Sequence, residues 1–502
     1  MKKKFLISVF FSFITIILLA QNFNIVTLGR DYFYTNGFQT YAVRADSTTV
    51  SGNDTIYHHF SMFRDTASGH NPHGCVDVFG GSLFGKMNTM TETGVFQIFT
   101  NKNDTVRLHP RAQLFQTWIM FQWSNGFYIE ATVTNISLQS VFSQADLVKT
   151  ISLSVKDQYG NPVISHPFHL KQLKLSENFG LIQTFDFYLF PLDTTLYVLE
   201  GITNPEQGYI MSPRTVFDFD VGDEFHYRER SVVYYGWGVS EIWQGYIQLT
   251  MKTVLGKAFS APDTAVTYEY RVCSRLITYN QLTPDTTFSI DTIAETIIFH
   301  KPDDSTFQQL PGETFEHIYF PFLYDCPIIE QYNYNNQRTR VYYDRTDVAF
   351  NTYNDSCWQW LMVDPAPGVF RYFDGLGGPY YFIDSWSMAI PIKERKLLYY
   401  KKGAEIWGTP IGPSCESLIN SSHVKNNYPL KIFPNPATDY IAIDIDGHPV
   451  ATGIVLLDIS GRVVLQCGFQ KEISLKSLPA GLYILHVFTG KELTFTGKVI
   501  KL

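Results

Sequence analysis

KIFPNPATDYIAIDI, residues 431–445, is the most legible stretch of the chain, and GIVLLDISGRVVLQ (453–466), ISLKSLPAGLYILHVF (473–488) and FTGKVIKL (495–502) follow in close order. Pro434 and Pro436 bracket Asn435. Each proline holds φ fixed and lacks an N–H, so this segment is expected to be extended and to lie at a sheet edge. Ile441, Ile443 and Ile445 alternate with Ala442 and Asp444, the period of a half-buried strand. Asp458-Ile459-Ser460-Gly461 is turn chemistry between two apolar runs and reads as a hairpin. Pro479-Ala480-Gly481 is a second turn, followed by the strand Leu482–Phe488, and Lys498–Leu502 fits a last short strand. The sum predicts a small antiparallel, immunoglobulin-like β-sandwich over residues 430–502.

These motifs, in this order, resemble the type A C-terminal sorting domain of the type IX secretion system of Bacteroidetes. Pro434, Asn435, Pro436, Gly461, Gly481 and Lys498 carry the resemblance. It implies a route rather than an activity. The outer-membrane translocon reads the sandwich, and a sortase-like peptidase removes it. The cargo is then left attached to surface lipopolysaccharide or released. The polar linker SCESLINSSHVKNNY, Ser414–Tyr428 within residues 414–429, has loop composition and is the expected place of the cut.

The other end agrees. Lys2, Lys3 and Lys4 precede the uncharged apolar run Phe5–Leu19, and Ala20 precedes Gln21. This reads as a secretory signal peptide over residues 1–20, cleaved between Ala20 and Gln21, with an apolar run short for a membrane span. No transmembrane span is expected in the mature chain. The localisation expected is the cell surface or the medium, reached through the periplasm and outer membrane.

The net charge of −8 becomes −11 once the three lysines of the signal peptide are removed, and no basic patch stands out. A nucleic-acid partner is therefore not expected. Aromatics at 16% against charged residues at 17% fit a β-rich extracellular protein and exclude a disordered one. Strand-like runs recur between turn clusters: Gly94–Thr100, Thr117–Trp123, Phe127–Val133, Thr184–Phe190, Gly245–Val254 and Ala265–Cys273. DFDVGDEFHYRE (218–229) reads as a further long strand. The cargo is thus expected to be mainly antiparallel β. A weak boundary near GKAFSAPDT separates region A (21–255) from region B (256–413), unless that segment is only a hairpin within one domain.

Six cysteines are present, and with Cys467 in the sorting sandwich the cargo and linker keep five. Cys326–Cys357 is the favoured bridge because both flank one aromatic-rich stretch, although connectivity does not follow from sequence. A tripeptide of Asp, Ser or Thr, then a small, aliphatic or Thr residue recurs. It is similar to the O-glycosylation motif of exported Bacteroidetes proteins and points to Thr55, Thr66, Thr105, Thr264 and Thr292; hairpin turns produce the same pattern. His58, His59, His70, His73 and Cys75, with His166 and His169, lack the second ligand pair of a structural zinc site and read as loop histidines. Asp186, Asp218, Asp220, Asp223, Glu224 and Glu241 are candidate glycosidase carboxylates, and the 218–224 cluster a candidate calcium site. An edge strand alternating Phe217, Phe219 and Val221 is the simpler reading of that cluster. No catalytic residue, metal site or cofactor is assigned. Trp237, Trp243 and Tyr246, and Trp358, Trp360, Phe370, Tyr372, Phe373, Tyr380, Tyr381 and Trp386, fill β cores or form a platform for a glycan or protein ligand. The expected function is a non-enzymatic exported binding or structural protein. The alternatives are an extracellular hydrolase of polysaccharide or protein and a β-sheet carrier of an apolar ligand.

Overall fold

The computed structural model of the chain describes residues 23–65, 76–234, 242–261, 264–281, 283–299, 305–317, 320–331, 335, 337–350, 358–360, 368–383, 391–420, 430–445, 452–458, 462–489 and 492–502. It is mainly β, and the three described helices are single turns or little more, Pro213–Val216, Ser305–Gln308 and Cys415–Asn420. Two compact units emerge. One holds the described residues of Met1–Glu229, Met251–Val272 and Asp291–Pro410, the other those of Arg230–Thr250, Cys273–Ile290 and Ile411–Leu502.

In the first unit, Tyr32–Thr35 pairs with Gln39–Val43 on one side and Leu196–Ile202 on the other. Gly180–Phe185, Gln172–Ser176, Gln144–Lys156, Tyr128–Val141 and Thr117–Gln122 then follow in order, all antiparallel. A second sheet runs Ala45–Ser51, Asp54–His59, Met87–Met90, Phe96–Phe99, Thr105–Leu108. Period-two alternation sends every other residue inward. Phe96, Ile98 and Val106 of the smaller sheet therefore share one buried cluster with Ile129, Leu153 and Leu173 of the larger. The long hairpin Tyr128–Lys156 turns on Phe142 and Ser143, at φ 49° and 64°. Two positive φ values are what a two-residue hairpin turn requires. Phe142 holds this conformation by packing edge-on to Phe179, ring centroids 5.3 Å apart.

A further antiparallel run joins Val369–Phe373, Gly377–Ile383, Ile392–Lys402 and Glu405–Gly408. Its core is aromatic, with Phe219, Tyr268, Phe373 and Tyr400 around Val254 and Leu397. The strand Ile242–Phe259 is followed by Ala265–Asn280, with the Ser260 N–H donating to the Ala265 carbonyl at 2.9 Å between them.

Two strand expectations are corrected. The run Thr184–Phe190 is strand only to Phe185, because the Asp186 carboxylate accepts the N–H groups of Tyr188 and Leu189, at 3.1 and 3.4 Å, and closes a turn. DFDVGDEFHYRE becomes strand only at Glu224. Before it, the Asp223 carboxylate accepts the Asp220 N–H at 2.8 Å, and Phe217, Phe219 and Val221 lie outside any strand, not on an edge strand.

In the second unit the C-terminal sandwich has the expected architecture. Leu430–Phe433, Tyr440–Ile445 and Glu472–Ser474 form one sheet. Val463–Gly468, Gly453–Asp458, Gly481–Thr489 and Glu492–Lys501 form the other. Ile441, Ile443 and Ile473 meet Ile454, Leu456, Leu485 and Val487 between them. Leu485 is fully buried at the centre of its sheet. We expect Leu485→Ala to destabilise this sandwich by about 2–5 kcal/mol. Hydrogen exchange on the full chain is the check: amides of Gly481–Thr489 should lose protection while those of Tyr128–Lys156 keep theirs.

Candidate functional site

The two ends of the C-terminal sandwich are tied together by one side chain. The Asn435 amide donates to the Lys498 carbonyl at 2.7 Å, and its oxygen accepts the Ile500 N–H at 2.9 Å. Prolines on both sides remove the N–H groups that a backbone ladder needs there. The carboxamide has one donor and one acceptor group and stands in for the missing rung. Just beyond, the Ala437 N–H donates to the Ile500 carbonyl and the Leu502 N–H to the Ala437 carbonyl, both at 2.8 Å. The first extended segment and the last strand are thus zipped in parallel, Ala437 beside Lys501. Phe433, Tyr440, Ile500 and Leu502 are exposed, as are Lys431 and Lys498. Pro434, Asn435, Pro436 and Lys498 are therefore brought to one place, Gly481 pairs with Lys501 on the neighbouring strand, and Gly461 lies outside the described residues.

Residues 431–502 match the secretion system C-terminal sorting domain. The sorting domain is that of type IX secretion, and it marks the protein for export across the outer membrane, to the cell surface or the medium. No curated protein matches the chain. Two solved structures, both extracellular domains from B. thetaiotaomicron, are similar over 94% of this chain and 91% of theirs. One is described as belonging to a hybrid two component system, at 9% identity and TM-score 0.13. The other is described as belonging to a one component system, at 8% identity and TM-score 0.13. Likeness at that score carries no argument about the cargo. No described helix is long and apolar enough to cross a membrane.

Of the cargo carboxylates singled out by sequence, the described aspartates are paired with arginine or lysine and Glu224 with a histidine. Asp186 is buried against Arg64, whose guanidinium lies between the rings of Tyr41 and Tyr188 at 5.5 and 4.9 Å. Asp218 and Asp220 face the Lys257 ammonium at 2.9 and 3.5 Å. Asp223, buried, faces Lys402 at 3.1 Å, and Glu224 faces His226 at 2.5 Å. Lysines thus face one oxygen of each of Asp218, Asp220 and Asp223. Among the described residues no group of three His, Cys, Asp or Glu could hold a metal ion. His166 packs between Trp123 and Phe168, ring centroids 5.0 and 5.9 Å away, and the His169 ring accepts the Val155 N–H at 3.3 Å. His58 meets the Thr49 hydroxyl at 2.9 Å, and His59 lies against Asn88 at 2.5 Å.

Sequence reasoning missed a second acidic cluster. The Asp374 carboxylate accepts the Tyr209 hydroxyl through one oxygen, and its other oxygen is buried without a hydrogen-bond partner among the described residues. Burial, and then the neighbouring Glu200 carboxylate, push Asp374 up to about 7. Glu200 accepts the Thr40 hydroxyl at 2.7 Å, and its carbonyl accepts the Tyr209 N–H at 2.6 Å. Gly208 makes this approach feasible: at φ 75°, a Cβ there would stand 2.2 Å from the Glu200 carbonyl oxygen. Nothing in the sequence marks the cluster, since its members lie far apart in the chain. Lys149 was missed too. Its ammonium is buried, donates to the Pro110 carbonyl at 2.7 Å, and sits 4.1 Å from the Phe23 ring, and burial lowers it to about 8.

The remaining expected residues divide by exposure. Thr264 and Thr292 are exposed, and Thr55 and Thr105 half-buried. Ala20, Gln21, Thr66, His70, His73, Cys75, Trp237, Glu241, Cys357 and Trp386 lie outside the described residues, and with Cys357 the expected Cys326–Cys357 bridge. The described bridge is Cys273–Cys415, and Cys467 is free. Of the aromatics, Phe373 and Tyr380 are core, while Trp243 is exposed.

Two outcomes follow from these geometries. Asn435→Ala removes both hydrogen bonds to the last strand, costing about 1–2 kcal/mol at an exposed site. We expect faster exchange of the Ile500 amide and reduced export; Asn435→Asp, which keeps only the acceptor, should restore part of the protection. For Asp374, an acid raised in the folded state costs nothing below its unfolded pKa near 3.8 and its full penalty above about 7. Asp374→Asn keeps an acceptor for Tyr209 and cannot ionise. Its gain in thermal midpoint over the parent should therefore be larger at pH 8 than at pH 5.

Proposed function

We propose that the exported cargo is a binding or structural protein that presents an open β surface outside the cell. The observation that supports this reading is the strand Thr283–Ile298, which has no buried position along its length. Phe288, Ile290, Ile293 and Ile298 stand exposed on it. Exposed apolar groups interleaved with hydroxyls and few charges suit a flat glycan or protein ligand rather than bulk water. The sorting domain is removed after export by a sortase-like peptidase, and the cargo is released or attached to surface lipopolysaccharide. Thr264 and Thr292, being exposed, are the better placed of the O-glycosylation candidates.

A second reading, an extracellular hydrolase, is favoured by one observation: Asp374 raised to about 7 beside Glu200. An acid protonated near neutrality next to a second carboxyl is the pairing that general acid catalysis uses.

Ile290→Lys with Ile293→Lys should leave export and the thermal midpoint unchanged and weaken capture of surface polysaccharide or protein at least tenfold; unchanged capture would sink the binding reading. Loss of polysaccharide or protein hydrolysis in Asp374→Asn, with capture unchanged, would establish the second reading in its place. Deleting Pro434–Leu502 should strand the cargo in the periplasm, as read by surface protease accessibility; normal display of the truncated chain would refute the role of the sorting domain.

A further inference from the structure

Cys273 and Cys415 are joined across 142 residues of sequence, with Cα atoms 5.6 Å apart. Cys273 is buried in the strand Ala265–Asn280. Cys415 opens the helix Cys415–Asn420, and it and Leu418 are buried, at 8% and 3% exposure. The sorting sandwich begins at Leu430. The disulfide therefore closes a covalent ring that ends just before the sorting domain.

The ring has a chemical consequence for removal of that domain. A single peptide cut anywhere from residue 274 to 414 leaves both fragments joined through sulfur. Only a cut beyond Cys415 frees the sorting domain from the whole of the cargo. We infer that the Cys273–Cys415 disulfide sets the limit of processing: the sorting domain is cut away on the C-terminal side of Cys415, and the exported cargo keeps its last helix stapled to the strand Ala265–Asn280. The inference rests on the proposal that the domain is removed, and it narrows the linker Ser414–Tyr428 to its later part. Folding narrows it again. A peptidase takes its substrate extended, and Cys415–Asn420 is helical with two side chains buried, so no bond within that helix is the one cut. In that step one peptide bond breaks and its amine leaves on the sorting domain. The acyl group of the cargo passes to water on release, giving a carboxylate, or to a nucleophile of the lipopolysaccharide on attachment, and the disulfide is neither formed nor broken.

The test is peptide mapping of the exported protein, alkylated without reduction and digested with trypsin. We expect the peptide Val272–Arg275 linked to the peptide that begins at Gly403, and a cargo C-terminus at or beyond Asn420. A C-terminus before Asn420, or alkylated Cys273 and Cys415, would overturn the inference while leaving removal itself standing. An exported full-length chain would overturn removal, and the inference with it. A second arm isolates the ring. A specific protease site placed at Gly412–Ser414 of the full chain should, once cut, leave the sorting domain on the cargo until reductant is added. In Cys273→Ala the same cut should release it at once. Release without reductant from the chain that retains both cysteines would refute the staple.

Discussion

Backbone pairing across antiparallel strands is the constraint on which this protein depends. With so little helix, buried N–H and C=O groups must find partners on a neighbouring strand. Pairing then dictates where side chains go, because neighbours alternate between faces. The ladder between Tyr128–Val141 and Gln144–Lys156 runs through thirteen residue pairs with one shift of register, between Val133 and Asn135, and its inward residues line the largest core. Where pairing is impossible a side chain replaces it. Asn435, between two prolines, supplies a donor and an acceptor to the last strand and closes the sorting domain on itself.

Charge in the cargo follows a similar rule. The carboxylates that stand out in sequence stand out because they are clustered, and clustered acids in a folded chain attract lysines. Lys257 and Lys402 neutralise the 218–223 group, and Arg64 neutralises Asp186. The carboxylate raised to about 7 is a solitary one in sequence, Asp374. It acquires its character from burial and from Glu200, which the fold brings beside it.

The sorting domain was legible almost residue by residue. Its turns, its alternating isoleucines and its bracketing prolines are local signals, and local sterics and periodicity act over a few residues. The cargo was legible as a class and as a list of strands, with boundaries that moved where a side chain captured the backbone. Asp186 ended one expected strand at Phe185, and Asp223 delayed another to Glu224. Those captures involve residues two or three positions apart, yet whether the chain turns or extends there depends on what the aromatic neighbours bury.

Sequence by itself determined the β class, the export address and the alternation that builds the sorting sandwich, because each is written in contacts between near neighbours along the chain. Tertiary structure alone decided which cysteines join, which acids are neutralised and which aromatics are core. Cys273 and Cys415, Glu200 and Asp374, and Arg64 and Asp186 are pairs separated by more than a hundred residues. Such pairs are set by strand order and register, and no spacing along the chain encodes them.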